Sequence, residues 1–172
     1  MLEHLQIFWC DNPGRARELA AFFSQNVDPE YISHSELQGL RAVSQNRWSD
    51  NLTEILREEI EPRLVQTEQI TPGPISQPIL VAEIRGAVVG LSFVTFVGDA
   101  RVPFAILEDV IVVRSMRGQG IGKTILDWIA AEARLREIGR LFLESKVQQE
   151  RTHHFFEREG FQVCSVVMLR SL

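Results

Sequence analysis

Three glycines stand at alternate positions in Arg117-Gly118-Gln119-Gly120-Ile121-Gly122-Lys123-Thr124, just after the apolar run Val110 to Val113. A strand that enters a glycine loop and then a helix is suited to holding an anion. The first backbone N–H groups of a helix have no partner within it and together carry about half a positive charge. Glycines remove the Cβ atoms that would keep a phosphate away from those amides. Two other phosphate motifs fail on spacing. G-x-x-x-x-G-K-[ST] would end correctly at Gly122-Lys123-Thr124, but its first glycine falls at position 117, an arginine. G-x-G-x-x-G fails because Gly118, Gly120 and Gly122 recur every second residue. Just upstream, Glu108 and Asp109 interrupt an apolar strand. A carboxylate there is costly to leave unpaired, so Glu108 marks either a site or a salt bridge to an arginine.

The elements that must position these residues are readable from periodicity. Leu5 to Trp9 reads as a first strand. Asp11 and Asn12 before Pro13 are helix-entry residues, and a first helix follows over residues 15–24 with Leu19, Ala20, Phe22 and Phe23 on one face. Residues 28–41 are polar and partly helical. Ser49 or Asp50 caps a further helix to about Ile60, interrupted at Pro62, and Thr71-Pro72-Gly73-Pro74 is a loop. Ile79–Ile84 and Val88–Val97 flank Arg85-Gly86 as a hairpin. Phe104–Val113 is a strand in which alternation puts Glu108, Val110 and Val112 on one face and Asp109 on the other. A helix over residues 121–136 carries Ile121, Ile125, Trp128, Ile129 and Leu135 on one side and ends at Gly139. Leu141–Leu143 is a strand, Thr152–Glu159 a short helix, and Phe161–Leu169 a final strand. Strands adjoining helices in this order give a mixed α/β or α+β fold.

The spacing R-x-x-G-x-G, as Arg117, Gly120 and Gly122, resembles the acetyl-CoA pyrophosphate loop of the GNAT family of N-acetyltransferases. Leu-Glu-Asp-Val-Ile-Val at 107–112 is similar to that family's central strand, and residues 152–161 (THHFFEREGF) to its late helix and Gly-Phe strand start. The likeness covers residues 79–170, and residues 1–75 match only as a helical, substrate-side front. It implies one domain over residues 1–172, with a central, mixed but mostly antiparallel twisted sheet, a splayed strand pair and flanking helices. It further implies acetyl-CoA as acetyl donor, with pyrophosphate on the amides of Gly118, Gln119, Gly120, Ile121, Gly122, Lys123 and Thr124 beside Arg117. Pantetheine would pair with Val110, Ile111 and Val112, and the Val112 N–H would meet the thioester oxygen. Glu108 occupies the position at which small-amine members, polyamine acetyltransferases among them, carry an acid, so it is the expected base, with Asp109 as second choice. Gln149 stands where an asparagine commonly contacts the cofactor. Phe156 stands where a tyrosine usually protonates the leaving thiolate, and a phenylalanine has no proton to give.

Composition narrows the function classes. The 172 residues are 45% hydrophobic and 24% charged, ordinary for one globular domain. Cys10 and Cys164 match no metal or redox spacing; both are expected to pack as small apolar groups in a reducing compartment. No run is long and apolar enough for a membrane span, and the first residues lack a signal peptide's basic and apolar regions, so the expected location is cytoplasmic. Residues 1–100 carry 7 Arg and no Lys against 14 acids, whereas residues 101–172 carry 11 basic residues against 9 acids. An acidic first half disfavours nucleic acid and suits a cationic small molecule, unless its acids are merely solvated helix faces. The late-helix region also resembles aminoalkylphosphonate acetyltransferases, whose substrates are anionic. The leading expectation is acetyl transfer to a primary amine of a small molecule by direct attack, without a metal. A non-catalytic acyl-CoA-binding module and a protein or peptide N-acetyltransferase are the alternatives, and a homodimer stays open.

Overall fold

A computed structural model of the chain describes residues 2–66, 74–146 and 149–172. Of the expected Thr71–Pro74 loop, only Pro74 falls within these residues. They divide into two compact units: residues 1–26 with 53–143, and residues 27–52 with 144–172.

The first unit is built on a six-stranded sheet. Its strands are β1 (Leu5–Cys10), β4 (Ile75–Ser76), β5 (Ile79–Ile84), β6 (Ala87–Val97), β7 (Phe104–Val112) and β8 (Arg140–Leu143). The order is β1-β5-β6-β7-β8, with β4 also on β6. Every pairing is antiparallel except β7–β8, which is parallel. A parallel pair needs a crossover, and helix α4 (Ile121–Leu135) supplies it. The β5–β6 turn forms at Arg85-Gly86 as expected, with both residues at positive φ.

Two helices cover one face of the sheet. Helix α1 (Ala16–Asn26) buries Leu19, Ala20, Phe22 and Phe23, and Phe23 packs against Phe93 of β6 at 5.8 Å between ring centres. Helix α3 (Leu52–Gln66) runs through Pro62, where the sequence predicts an interruption. Proline deletes one helical hydrogen bond, whereas Leu56, Ile60 and Leu64 are fully buried at a spacing of four and hold the next turn in place. Helix α4 covers the other face with Ile121, Ile125, Leu126, Ile129 and Ala133. Leu135, expected on that inner face, is 79% exposed because the helix ends there and Ala133 takes the inward position. A Cβ on Gly90 would lie 2.6 Å from Ile125 Cδ1, so glycine lets α4 approach β6.

The second unit contains helix α2 (His34–Gln38), the hairpin β2 (Ala42–Ser44) and β3 (Arg47–Trp48), and helix α5 (Glu150–Arg158). Ser33 and Glu36 cap α2 reciprocally, which accounts for the burial of Glu36. The expected final strand over Phe161–Leu169 is not formed. Its β-branched pattern is compatible with a strand, but no ladder partner among the described residues takes up its main-chain groups, and Val163, Val166 and Met168 are exposed. Cys164, expected to pack inside, is exposed on this segment, while Cys10 is buried. No helix among the described residues is long and apolar enough to cross a membrane.

Candidate active site

The site is assembled where β7 outruns β8. Their ladder spans Phe104↔Arg140 to Leu107↔Leu143, and β7 continues to Val112. Val112 lies opposite Gly90 of β6, and the Val113 N–H donates to the Val89 carbonyl at 2.9 Å. Along an antiparallel ladder, alternate residues turn their main-chain groups toward and away from the partner. Ile111 and Val113 therefore face β6, while Val110 and Val112 present their main-chain groups on the flank beyond the end of β8. Of the three residues expected to pair with pantetheine, Val110 and Val112 turn their main-chain groups to this flank, and Ile111 turns its groups to β6. The Val112 carbonyl on that flank accepts from Arg117 Nε at 3.2 Å.

The loop after β7 is shaped by two left-handed glycines. Residues Arg114–Met116 form one 3-10 turn, Gly118 has φ +79°, and Gly120 caps α4 at φ +90°. An L-residue at such angles costs about 1–2 kcal/mol, which explains the glycines without reference to packing. The Thr124 N–H is already within the helix, donating to the Gly120 carbonyl at 3.0 Å. The amides of Ile121, Gly122 and Lys123 precede the first helical bond and form the positive end of α4. Thr124, expected to contribute an amide, does not share this role. Lys123 pairs with Asp127 at 3.0 Å on the exposed side of the helix. Arg117 also donates from Nη2 to the Asn26 carbonyl, and Asn26 Oδ1 accepts from the Arg114 N–H at 3.0 Å. Buried Asn26 thus ties the end of α1 to the loop.

Glu108 sits at a β-bulge. Phe93 lies opposite Asp109 and Val94 opposite Leu107, so Glu108 is the extra residue of β7. Bulges re-aim side chains, and here strict alternation fails as a result. Val110 and Val112 share the α4 face with Ser92 and Gly90, across from them in the ladder. Glu108 instead lies on the α1–α3 face, correcting the arrangement expected from the sequence. Its Oε2 accepts from Arg63 Nη2 of α3 at 2.6 Å, and its Oε1 accepts from the Thr95 hydroxyl of β6. Gln77 Nε2 in turn donates to Thr95 Oγ1 at 3.2 Å, and the Arg63 guanidinium lies over the Phe93 ring at 5.3 Å. The Glu108 side chain retains 26% exposure, whereas Asp109 is 2% exposed, with its carbonyl accepting from Ser92 Oγ at 2.6 Å.

Gln149 and Phe156 belong to the second unit. Gln149 donates from Nε2 to the Glu30 carbonyl and accepts from the Thr152 hydroxyl at 3.0 Å, while Phe156 packs on Phe155 and Phe161. The acids of α3 form a solvated lattice in which Arg57 pairs with Glu54 at 2.7 Å and Glu61 at 2.6 Å. Sequence reasoning missed Arg63, Thr95, Gln77 and Asn26. Thr95 and Asn26 carried a signal, since each is a polar residue set among buried apolar ones; Arg63 and Gln77 carried none.

The family described as the acetyltransferase (GNAT) family matches residues 41–161. No curated protein matches the chain. A transcriptional regulator from Bacillus halodurans C-125 superposes with a TM-score of 0.67 at 19% identity, covering 98% of this chain and 100% of that one. A ribosomal-protein-alanine N-acetyltransferase from Brucella melitensis biovar Abortus 2308 superposes with a TM-score of 0.63 at 16% identity, covering 97% and 99%. An aminoglycoside acetyltransferase from an uncultured soil metagenomic sample superposes with a TM-score of 0.64 at 12% identity, covering 100% and 99%. At these identities the superpositions establish a shared fold.

Proposed function

The chain belongs to the acetyltransferase (GNAT) family, and from that premise we propose that this N-acetyltransferase moves the acetyl group of acetyl-CoA directly to a primary amine of a small molecule. The observation that carries this reading is the continuity of β7. One strand carries a part-exposed carboxylate at Glu108 and outward-facing N–H groups at Val110 and Val112, and the positive end of α4 follows after a glycine loop.

Acetyl-CoA supplies an activated thioester when bound. The amides of Ile121, Gly122 and Lys123, with Gly118 and Gly120 keeping side chains away, fit its pyrophosphate. The outward edges of Val110 and Val112 fit an extended amide chain laid alongside as a further strand. The Val112 N–H is the donor available to an oxygen that gains negative charge. Glu108 accepts the proton that the attacking amine loses as its nitrogen takes the acetyl carbon. Two features favour Glu108 over Asp109 as base: its side chain reaches solvent, and its oxygens keep acceptor capacity beyond their bonds to Arg63 and Thr95. The sulfur leaves as thiolate or is protonated by water, since Phe156 has no proton to give.

Phe156 also supports a second reading, an acyl-CoA-binding module that has lost turnover. Release of CoA thiol from acetyl-CoA with spermidine, kanamycin and an alanine-terminated peptide separates the possibilities. Amine-dependent release with a small molecule, faster than with the peptide, is expected. Release with the peptide alone would make the acceptor a protein, and tight CoA binding with no transfer would favour the module.

A further inference from the structure

We propose that Thr95 and Arg63 are positioning residues, which together fix the orientation of the Glu108 carboxylate for proton acceptance. This rests on the reading of Glu108 as the base. The bulge leaves Glu108 as the residue of β7 without a counterpart on β6, so the strand alone does not define where its carboxylate points. A long side chain at a bulge has several rotamers available unless its end is held. Here both ends of the carboxylate are held, from different elements. The Thr95 hydroxyl of β6 donates to Oε1, and Arg63 of α3 donates to Oε2 at 2.6 Å.

The donor direction along this chain is fixed by chemistry. The Gln77 amide nitrogen can only donate, so Thr95 Oγ1 accepts at 3.2 Å and spends its own proton on Glu108. Arg63 is itself constrained, stacked over Phe93 and 15% exposed. A carboxylate offers about four acceptor positions, and the two donors take one on each oxygen. An acceptor position therefore remains on each oxygen, at a side chain still 26% exposed. Thr95 is 7% exposed, and its hydroxyl is engaged by Gln77 and Glu108 rather than by solvent. A threonine at this position is explained by its proton.

Valine and serine at position 95 separate the donor from the packed volume, because each removes one and keeps the other. Thr95→Val keeps the volume and removes the donor, whereas Thr95→Ser keeps the donor and removes a methyl. Kinetics are measured with the amine turned over fastest among spermidine, kanamycin and the alanine-terminated peptide. Thr95→Val should lower kcat about tenfold or more with the KM for acetyl-CoA unchanged, since small misplacement of a catalytic group costs up to about a hundredfold. Thr95→Ser, which keeps the donor and loses one buried methyl, should stay within about threefold of wild type. Arg63→Met should behave like Thr95→Val. Carbon-13 NMR of the Glu108 carboxyl adds a readout that needs no acceptor: the resonance should move in Thr95→Val and hold in Thr95→Ser. A wild-type rate in Thr95→Val, an equal fall in Thr95→Val and Thr95→Ser, or an unmoved resonance would overturn the inference. If Glu108→Gln slows transfer while Thr95→Val does not, only the positioning role fails. If Glu108→Gln transfers at the wild-type rate, the base assignment fails and this inference with it.

Discussion

Glutamine at position 108 keeps the shape of the glutamate and removes its capacity to take a proton. The structure sets the size of the accompanying disturbance. Glu108 accepts from two donors, Arg63 Nη2 at 2.6 Å and the Thr95 hydroxyl. A glutamine has one carbonyl oxygen, so in either amide orientation one of those donors meets an NH2 group. Leaving a donor unmatched costs about 1–3 kcal/mol when buried. The lower end applies here, because the Arg63 and Glu108 side chains are 15% and 26% exposed and water reaches them. A loss of about 1 kcal/mol leaves a domain with about 5–15 kcal/mol of stability folded. It also amounts to less than a factor of ten in rate. Loss of general base catalysis is worth about 10²–10⁴, so the two effects are separable by size. Urea unfolding should show the small loss of stability, calorimetry an unchanged affinity for CoA, and thiol release with an accepted amine a fall in kcat of at least about a hundredfold at pH 7. Raising the pH should partly restore the mutant, by supplying more neutral amine. Wild-type turnover in Glu108→Gln, together with the expected loss of stability, would refute the reasoning and leave Glu108 as a structural partner of Arg63. Loss of rate in Asp109→Asn alone would place the base on a side chain that the structure buries.

Two further outcomes follow from groups away from the base. Asn26→Ala removes the acceptor of the Arg114 N–H and the donor to the Phe22 carbonyl; it should cost about 1–3 kcal/mol in urea unfolding and weaken CoA binding measured by calorimetry, whereas unchanged affinity would show that the loop holds its shape without α1. Burial raises the Cys10 thiol above its ordinary value of 9.0, with Asn12 and Arg15 opposing. The folded protein therefore holds that proton more tightly than the unfolded chain, and this contribution is complete below the unfolded value and is lost as pH rises through the folded one. Wild type should accordingly lose more stability than Cys10→Ala between about pH 8 and pH 10, and equal losses would contradict the burial argument.

The parts legible in the sequence were those fixed by local chemistry. The glycine loop could be read because left-handed positions and a helix start restrict residue type, and the β5–β6 hairpin because Arg85-Gly86 adopts positive φ in a short turn. Helices α1 and α4 followed from their apolar spacing. The errors lay where pairing decides the outcome. Alternation along β7 assumes an unbroken register, and the bulge opposite Phe93 and Val94 breaks it at Glu108 itself. The Phe161–Leu169 segment has the composition of a strand, but a strand also needs a partner, which composition does not encode. Pro62 reads as a break because the hydrogen bond it deletes is visible in the sequence, while the burial of Leu56, Ile60 and Leu64 that outweighs it is tertiary. Arg63 and Glu108 are 45 residues apart, and no local signal links them.

Binding of CoA to two glycine variants tests the central claim, that the start of α4 holds the pyrophosphate of the acetyl donor. Gly120 and Gly86 have similar positive φ, +90° and +78°, but Gly86 lies in the β5–β6 turn with open space around it. Glutamate at either position therefore imposes comparable strain of about 1–2 kcal/mol and the same charge, but only Gly120→Glu places both in the phosphate-binding loop. Calorimetry should show wild-type CoA affinity for Gly86→Glu and no measurable binding for a folded Gly120→Glu protein. Equal affinities for CoA in the two folded variants would contradict the assignment of the loop.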